Sequence, residues 1–381
     1  MNKFENEYEY LVHLIKFALK NEQPTEKPET ISFSKVFEIG KAHEVANIAF
    51  ISVEKLKNKP EEALYDKWIS YYGKSVRRHI NQINARDKIV NALNEAKIRH
   101  VEVQGTIMKT LYPHSEWRMM CDIDFIIDKE SLDVAEEVMK MLGYNTRNPN
   151  GVEVNAFGKN AIAVELHSDF FDPNSIGYKT ITDVFSYSQR IGNTYSYKAS
   201  ETIFYLYNLL HCIKHFLQRG AGIRRIMDMY IMREALLNKV DIVFINEILT
   251  KTGYKKVADE IFAVVDKWFS DSQNIQELKN FENKIYLSNN HGSKKIFYEN
   301  QYDRCDKKGK RFFKLNKFLK MLFPSKKSMY LCYPFCEKHK FPTIICWLYR
   351  LFKTIFDPYK LRRAFKRFIY IKNIDFKNWL I

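Results

Sequence analysis

Hydrophobic residues recur at helical spacing through the first hundred positions of the chain. Residues 3–20 predict an amphipathic helix, and a polar segment with two prolines follows at 21–30. Val36, Ile39, Val45, Ile48 and Ala49 keep the same period, so a second helix capped by Ser34 is expected to run to about Leu56. Pro60 suits the first turn of a third helical stretch, which reaches about Lys97 with a break expected near Gly73.

The period then changes from helical to alternating. Val101 and Val103 point one way and Glu102 and Gln104 the other, which predicts a strand ending at Gly105. A short helix over 106–112 is halted by Pro113, and residues 120–127 read as a second strand. A helix is expected over 129–142, closed by Gly143 at the usual left-handed position. Two more strands are expected at 152–157 and 161–167. Helical spacing returns over 202–217 and 224–237, with a third stretch over 241–269, and the polar segment 271–310 reads as loops. The remaining tail offers short aromatic-rich helical pieces punctuated by Pro324, Pro334, Pro342 and Pro358.

At 381 residues the chain exceeds one minimal domain, since about 150 residues per domain is the usual scale. The pattern divides it into an N-terminal helical region (1–98), a mixed core (99–198), a helical domain (199–290) and a basic aromatic-rich tail (291–381). The N-terminus lacks an unbroken apolar stretch, so no secretory signal is expected there, and the longest uncharged apolar-rich runs fall short of the ~20 residues that span a bilayer. The expected compartment is the cytoplasm, with a position peripheral to the membrane left open by the tail. Six cysteines are too sparse for a disulfide framework, and the cluster Cys332, Cys336 and His339 lacks a fourth ligand at finger-like spacing. From His291 onward 23 Lys/Arg stand against 6 Asp/Glu, whereas the rest of the chain is close to neutral. The basic excess therefore belongs to the tail, which suits an anionic membrane surface or a nucleic acid as partner. Solvated charges around packed aromatics are the third reading of the same composition.

Asp122 and Asp124 sit two residues apart on an expected strand and so project from one face, with Ile123 turned into the core. Two carboxylates side by side repel, and a divalent cation relieves that repulsion; oxygen-rich sites suit Mg²⁺ or Mn²⁺. Such a pair also occurs on solvated edge strands. Here Glu165 adds a third carboxylate on a neighbouring strand, sharing a face with His167. No phosphate-binding loop of the dinucleotide or P-loop kind occurs, since Gly220-Ala221-Gly222 lacks a third glycine and follows a helix.

The ordered motifs Gln104-Gly105, Tyr112-Pro113, Arg118, Asp122-Ile123-Asp124 and Glu165-Leu166-His167 resemble the bacterial uncharacterised nucleotidyltransferase family of the DNA polymerase β-like superfamily. Leu210-His211 with His215, and Arg224 with Asp228, resemble its downstream helical signature, and Phe323-Pro324 and Tyr333-Pro334 have counterparts there. The resemblance runs from about Ile83 to Arg350. It implies an α+β fold, a polymerase β-like nucleotidyltransferase core of a small mixed sheet with helices, flanked by N-terminal and C-terminal helical regions.

The resemblance also implies roles. Asp122, Asp124 and Glu165 would be the catalytic residues and the ligands of Mg²⁺ or Mn²⁺. NTP would be handled by Gln104, Gly105, Thr106, Lys109, Arg118, His167, His211, His215, Arg224 and Asp228. Gly105 would let the backbone approach the phosphates, and Arg118 would clamp them or serve as a surface arginine. His167 would orient Glu165, touch the substrate or cap its strand, and the His211/His215 pair would pack or contact the nucleotide. Asp228 is expected to pair with Arg224 one helical turn away. The family has a lysine where this chain has Gln104, and Lys109 or Arg118 are the candidates to replace its charge. The function implied is transfer of an NMP from NTP to a hydroxyl-bearing acceptor (a small molecule, sugar or protein) with release of pyrophosphate. The alternative is a catalytically weak relative that binds a nucleotide or an anionic partner.

Overall fold

In the computed structural model, residues 5–148, 153–159, 162–169, 181, 183–270, 278–290, 292–333 and 343–373 are described. The chain divides into two compact units, Met1–Ser293 and Lys294–Ile381.

Three helices open the first unit: α1 (Glu7–Lys20), α2 (Phe33–Ala42) and α3 (Ala46–Val53). Asn6 caps α1 by accepting from the Glu9 amide, and Ser32 caps α2 by accepting from Lys35. The expected single helix from Ser34 to Leu56 is in fact two, because Glu44 takes φ +55° and ends the first. The break turns the Glu44 carboxylate toward Arg224, Asn290 and Cys121. Next comes α4 (Glu62–Glu95), unbroken at Gly73, where an added Cβ would meet nothing. Its 34 residues span about 50 Å at 1.5 Å per residue, enough to serve two cores. Trp68 lies in the helical core with α2 and α3, while Ile89 and Leu93 pack beneath the sheet.

The α+β character comes from the middle of the unit: β1 (His100–Val103), α5 (Gly105–Lys109), β2 (Asp122–Ile127), α6 (Leu132–Met141), β3 (Asn145–Arg147), β4 (Glu153–Phe157), β5 (Ala163–His167), β6 (Ser188–Arg190) and β7 (Ser196–Ala199). These strands form one mixed sheet in the order β3-β4-β5-β2-β1-β7-β6. β2 runs antiparallel to β1 and parallel to β5. Alternation gives the sheet two different faces. Ile123, Phe125, Ile127, Val164 and Leu166 bury one face against α6 and the end of α4. Val101, Val103 and Ile126 turn the other toward the helical core.

That core is completed by α7 (Glu201–Gln218), α8 (Ile223–Leu236), α9 (Ile242–Lys251), α10 (Lys255–Phe269) and α11 (Lys279–Tyr286). The stretch expected over 241–269 is two helices, divided at Gly253 with φ +73°. The segment expected as loops from 271 holds α11 and a further helix, Lys294–Asp303, whose apolar residues Ile285, Ile296 and Tyr298 are buried.

The second unit is a set of short helices: Lys294–Asp303, Lys307–Arg311, Phe313–Leu322, Lys326–Cys332, Thr343–Ile355 and Pro358–Asn373. Its described residues include two small clusters, Tyr298 with Phe313 and Ile371, and Met329 with Cys346. Pro334, Pro342, Cys336 and His339 lie outside the described residues. No helix among the described residues is long and apolar enough to cross a membrane.

Candidate metal centre

Strand register assembles the site. Across the parallel β2–β5 pair, Asp124 stands opposite Glu165 and Ile126 opposite His167. Antiparallel β4 then places Asn155 opposite Glu165 and Glu153 opposite His167. Two adjacent rows on one face therefore carry Asp124, Glu165, His167 and Glu153, and residues so placed are within side-chain reach. The opposite phase of the same strands is fully apolar, so a slip of one residue would bury the acids; the hydrophobic pattern holds them in place.

Asp124, Glu165 and His167 each present a ligand atom, and these atoms all lie within 4.8 Å of one another. The His167 ring is the hub. Its Nε2 is 3.4 Å from Glu165 Oε2 and 3.7 Å from Asp124 Oδ1, and its Nδ1 is 3.9 Å from Glu153 Oε2. Burial pushes the Asp124 carboxyl up, with the charges of Asp122 and Glu165 adding to it and His167 opposing. Burial works against a charged His167, yet its hydrogen bonds to Asp124 and Glu165 and their charges raise it above the ordinary range. Asp122 shares this face two residues earlier; it is half-buried and lies outside the tight group of three. A buried Asp carboxylate with a Glu, a His and further acids beside it is a donor set suited to Mg²⁺ or Mn²⁺.

Helix α7 overlooks this face. The buried Tyr207 hydroxyl accepts a hydrogen bond from Gln104 Nε2 at 3.2 Å, and burial together with the charge of Asp124 pushes that phenol up. Gln104 holds φ +56° and ψ −116°, a conformation that glycine adopts far more readily. Strain of this kind is maintained only where the surroundings enforce it, and it concentrates at functional sites. One turn beyond Tyr207, the Nε2 atoms of His211 and His215 are 2.6 Å apart. Burial, then the neighbouring cations, hold His211 well below its ordinary value.

The other expected contact residues are buried, and the charged ones are held by protein partners, with the charge of Asp122 reaching Arg118. Gly105 makes room rather than an opening: a Cβ there would come within 3.0 Å of Met120 Sδ and 3.3 Å of an Arg118 nitrogen. Thr106 is buried with its hydroxyl unpartnered among the described residues. Lys109 is 2% exposed and held on α4, 3.3 Å from Gln82 Oε1 and 3.2 Å from His79 Nδ1. Arg118 is buried in a bidentate pair with Asp228, Nε to Oδ1 at 2.8 Å and Nη2 to Oδ2 at 2.9 Å. The expected Asp228–Arg224 pair is thus replaced: Asp228 takes Arg118, and Arg224 turns to Glu44 and the Met119 carbonyl. A planar fork matched by both carboxylate oxygens is the stronger arrangement.

Glu153 and Lys214 at the centre, and Arg225 whose charge reaches His211, carry no motif of their own. Glu153 enters only through the β4–β5 register. The charge of Lys214, exposed on α7, reaches both Glu165 and His211. Arg225 has its Nε buried without a partner among the described residues, and burial, then the charge of Arg224, pulls its guanidinium down to about 10. The spacing of Lys214 between His211 and His215 was the one available signal for it.

Residues 29–270 match the family described as uncharacterised nucleotidyltransferase. Among solved structures, similarity is found to the solution structure of the antibiotic-resistance factor ANT(2'')-Ia. It has 11% identity and a TM-score of 0.34, and covers 50% of this chain and 97% of that one. No curated protein matches the sequence.

Proposed function

We propose, for a chain that belongs to the uncharacterised nucleotidyltransferase family and is a nucleotidyltransferase, that it moves an NMP from NTP to a hydroxyl-bearing acceptor and releases pyrophosphate. The observation that carries this reading is the register that sets Asp124 against Glu165 on parallel strands, with His167 and Glu153 in the adjoining row.

Asp124 and Glu165, with Asp122 beside them and His167 between, would hold Mg²⁺ or Mn²⁺. When bound, such ions neutralise phosphate charge and acidify the attacking hydroxyl. The chain's own residues supply the rest. Asp122 and Asp124, fixed on a central strand, would hold ions that draw the reacting phosphate to this face of the sheet. Glu165 receives the proton of the acceptor hydroxyl as its oxygen forms the new bond to the α-phosphorus. The bond from that phosphorus to the bridging oxygen breaks, and pyrophosphate departs with the electron pair. Lys214, the exposed cation of α7 whose charge reaches Glu165, balances the phosphate charge that the family's lysine would meet at position 104. Most of the rate then comes from positioning and charge neutralisation.

The test uses NTP labelled separately at the α- and γ-phosphorus, with Mg²⁺ or Mn²⁺ and cell extract as the acceptor source. The expected outcome is α-label on an acceptor and free pyrophosphate, both lost in Asp124→Asn. Transfer of the γ-label instead, or α-label transfer unchanged by Asp124→Asn, overturns the reading.

A further inference from the structure

The helix Thr343–Ile355 of the second unit is packed on one side and bare on the other. Cys346 is fully buried against Met329, the Trp347 indole donates to the Pro324 carbonyl at 2.8 Å, and Arg350 donates to the Leu322 carbonyl at 3.2 Å. Those contacts fix which way the helix is turned. At ~100° per residue, Ile344, Leu348, Phe352 and Ile355 then fall within one stripe away from them. All four are exposed, Leu348 by 62% and Phe352 by 63%. Contiguous exposed apolar surface of this kind marks an interaction site rather than an accident of composition.

The second helix of the pair, Pro358–Asn373, repeats the arrangement. Leu361, Phe365 and Ile369 recur every fourth residue and are exposed, while Ile371 anchors the helix in the cluster with Tyr298 and Phe313. Arg362 and Lys366 each follow a stripe residue and flank it, and both are exposed, as is Arg363. Across 343–373 eight Lys/Arg stand against one acid, Asp357. Apolar stripes edged by cations are the pattern of helices that lie in a membrane interface, with the apolar side among the acyl chains and the cations at the headgroups. Neither helix is long and apolar enough to cross the bilayer, which leaves lying on it.

We infer that these two helices dock the protein on an anionic phospholipid surface. The charge of the tail selects the partner: an apolar stripe alone would fit a second copy or any hydrophobic groove, whereas the cations beside it call for negative headgroups. Each basic residue near such a surface strengthens binding about fivefold. A nucleic acid would use the cations and leave the exposed Leu and Phe side chains without a role.

The experiment is sedimentation of the full-length protein with vesicles of phosphatidylcholine alone and with phosphatidylglycerol added. Binding to the mixed vesicles and not to the neutral ones is expected. Arg362→Gln with Lys366→Gln should weaken it about 25-fold, and Leu348→Ser with Phe352→Ser should remove the part that survives high salt. Circular dichroism of each variant separates lost binding from lost folding, and the wild-type comparison of the two vesicle types needs no variant. Equal binding to neutral and anionic vesicles overturns the inference. So does salt-sensitive RNA retention without vesicle binding, or a dimer in solution that Phe352→Ser dissolves.

Discussion

Asp228 grips Arg118 with both carboxylate oxygens across 110 residues of sequence, and the Tyr112 hydroxyl donates to the same carboxylate at 2.6 Å. Burial opposes the charge on Asp228, yet the Arg118 guanidinium holds its carboxyl below the usual range. Both side chains are nearly inaccessible, 7% and 6% exposed, so α8 is tied to the segment leading into β2 by an ion pair with almost no water.

Breaking such a pair from one side leaves a buried, uncompensated charge. Asp228→Ala is expected to destabilise the fold by ~3–5 kcal/mol, read as a shift in urea unfolding. Replacing both partners, Arg118→Met with Asp228→Leu, should recover most of that loss, because no orphan charge remains. If Arg118 instead served chiefly to clamp substrate, Arg118→Met would leave stability nearly unchanged and raise KM for NTP.

Lys109 links stability to pH. Burial, aided by the charge of Arg118, pulls its ammonium down to about 7, well below an ordinary lysine. The unfolded chain keeps that proton up to about pH 10.4. Between the two values the unfolded state binds more protons, so stability rises with pH; below pH 7 the penalty is present in full. The gain from pH 7 to 9 should be ~2 kcal/mol, and it should disappear in Lys109→Met. Parallel stability profiles for wild type and variant would show that Lys109 is not the source.

The parts of this site visible in the sequence are those written with a period of two. Alternation in Asp122–Ile127 and in Ala163–His167 turns Asp124, Glu165 and His167 to the face opposite the apolar phase, and that phase needs no tertiary information. Glu153 depends on which strand pairs with β5, and nothing in its own neighbourhood states that. The three-residue strands β3 and β6 are too short to show any period. Arg118 and Asp228 come together only through the docking of α8, whereas Arg224 was the partner at helical distance. Helix breaks at Glu44 and Gly253 arise from single residues with positive φ inside otherwise helical patterns. Glycine signals such a turn in sequence, and glutamate does not.

Metal and nucleotide should stabilise the fold together. A ligand that binds only the native state raises the unfolding temperature by mass action. Mg²⁺ or Mn²⁺ with NTP is expected to raise Tm of the wild type, and Asp124→Asn, which keeps the shape and removes the charge at the centre of the cluster, should abolish the rise. An identical response from both proteins would place the ions elsewhere.

A cation must also meet the nucleotide phosphates. Gln104 stands where the resemblance calls for lysine, and its amide is committed to the Tyr207 hydroxyl. Lys109 is buried on α4 and Arg118 is matched by Asp228, which turns attention to a further cation. Lys214 is exposed, and its charge is felt by Glu165 in the candidate metal cluster and by His211 beside Tyr207. A hydrogen bond to a charged group contributes ~1.5–3 kcal/mol, so Lys214→Ala should raise KM for NTP by roughly 10- to 100-fold. Gln104→Lys in that background should restore much of the loss, because it puts a cation back on the other side of Tyr207. If Lys214→Ala leaves KM unchanged, the phosphates are met by Arg225 or not on this face at all, and Arg225→Gln distinguishes those two cases.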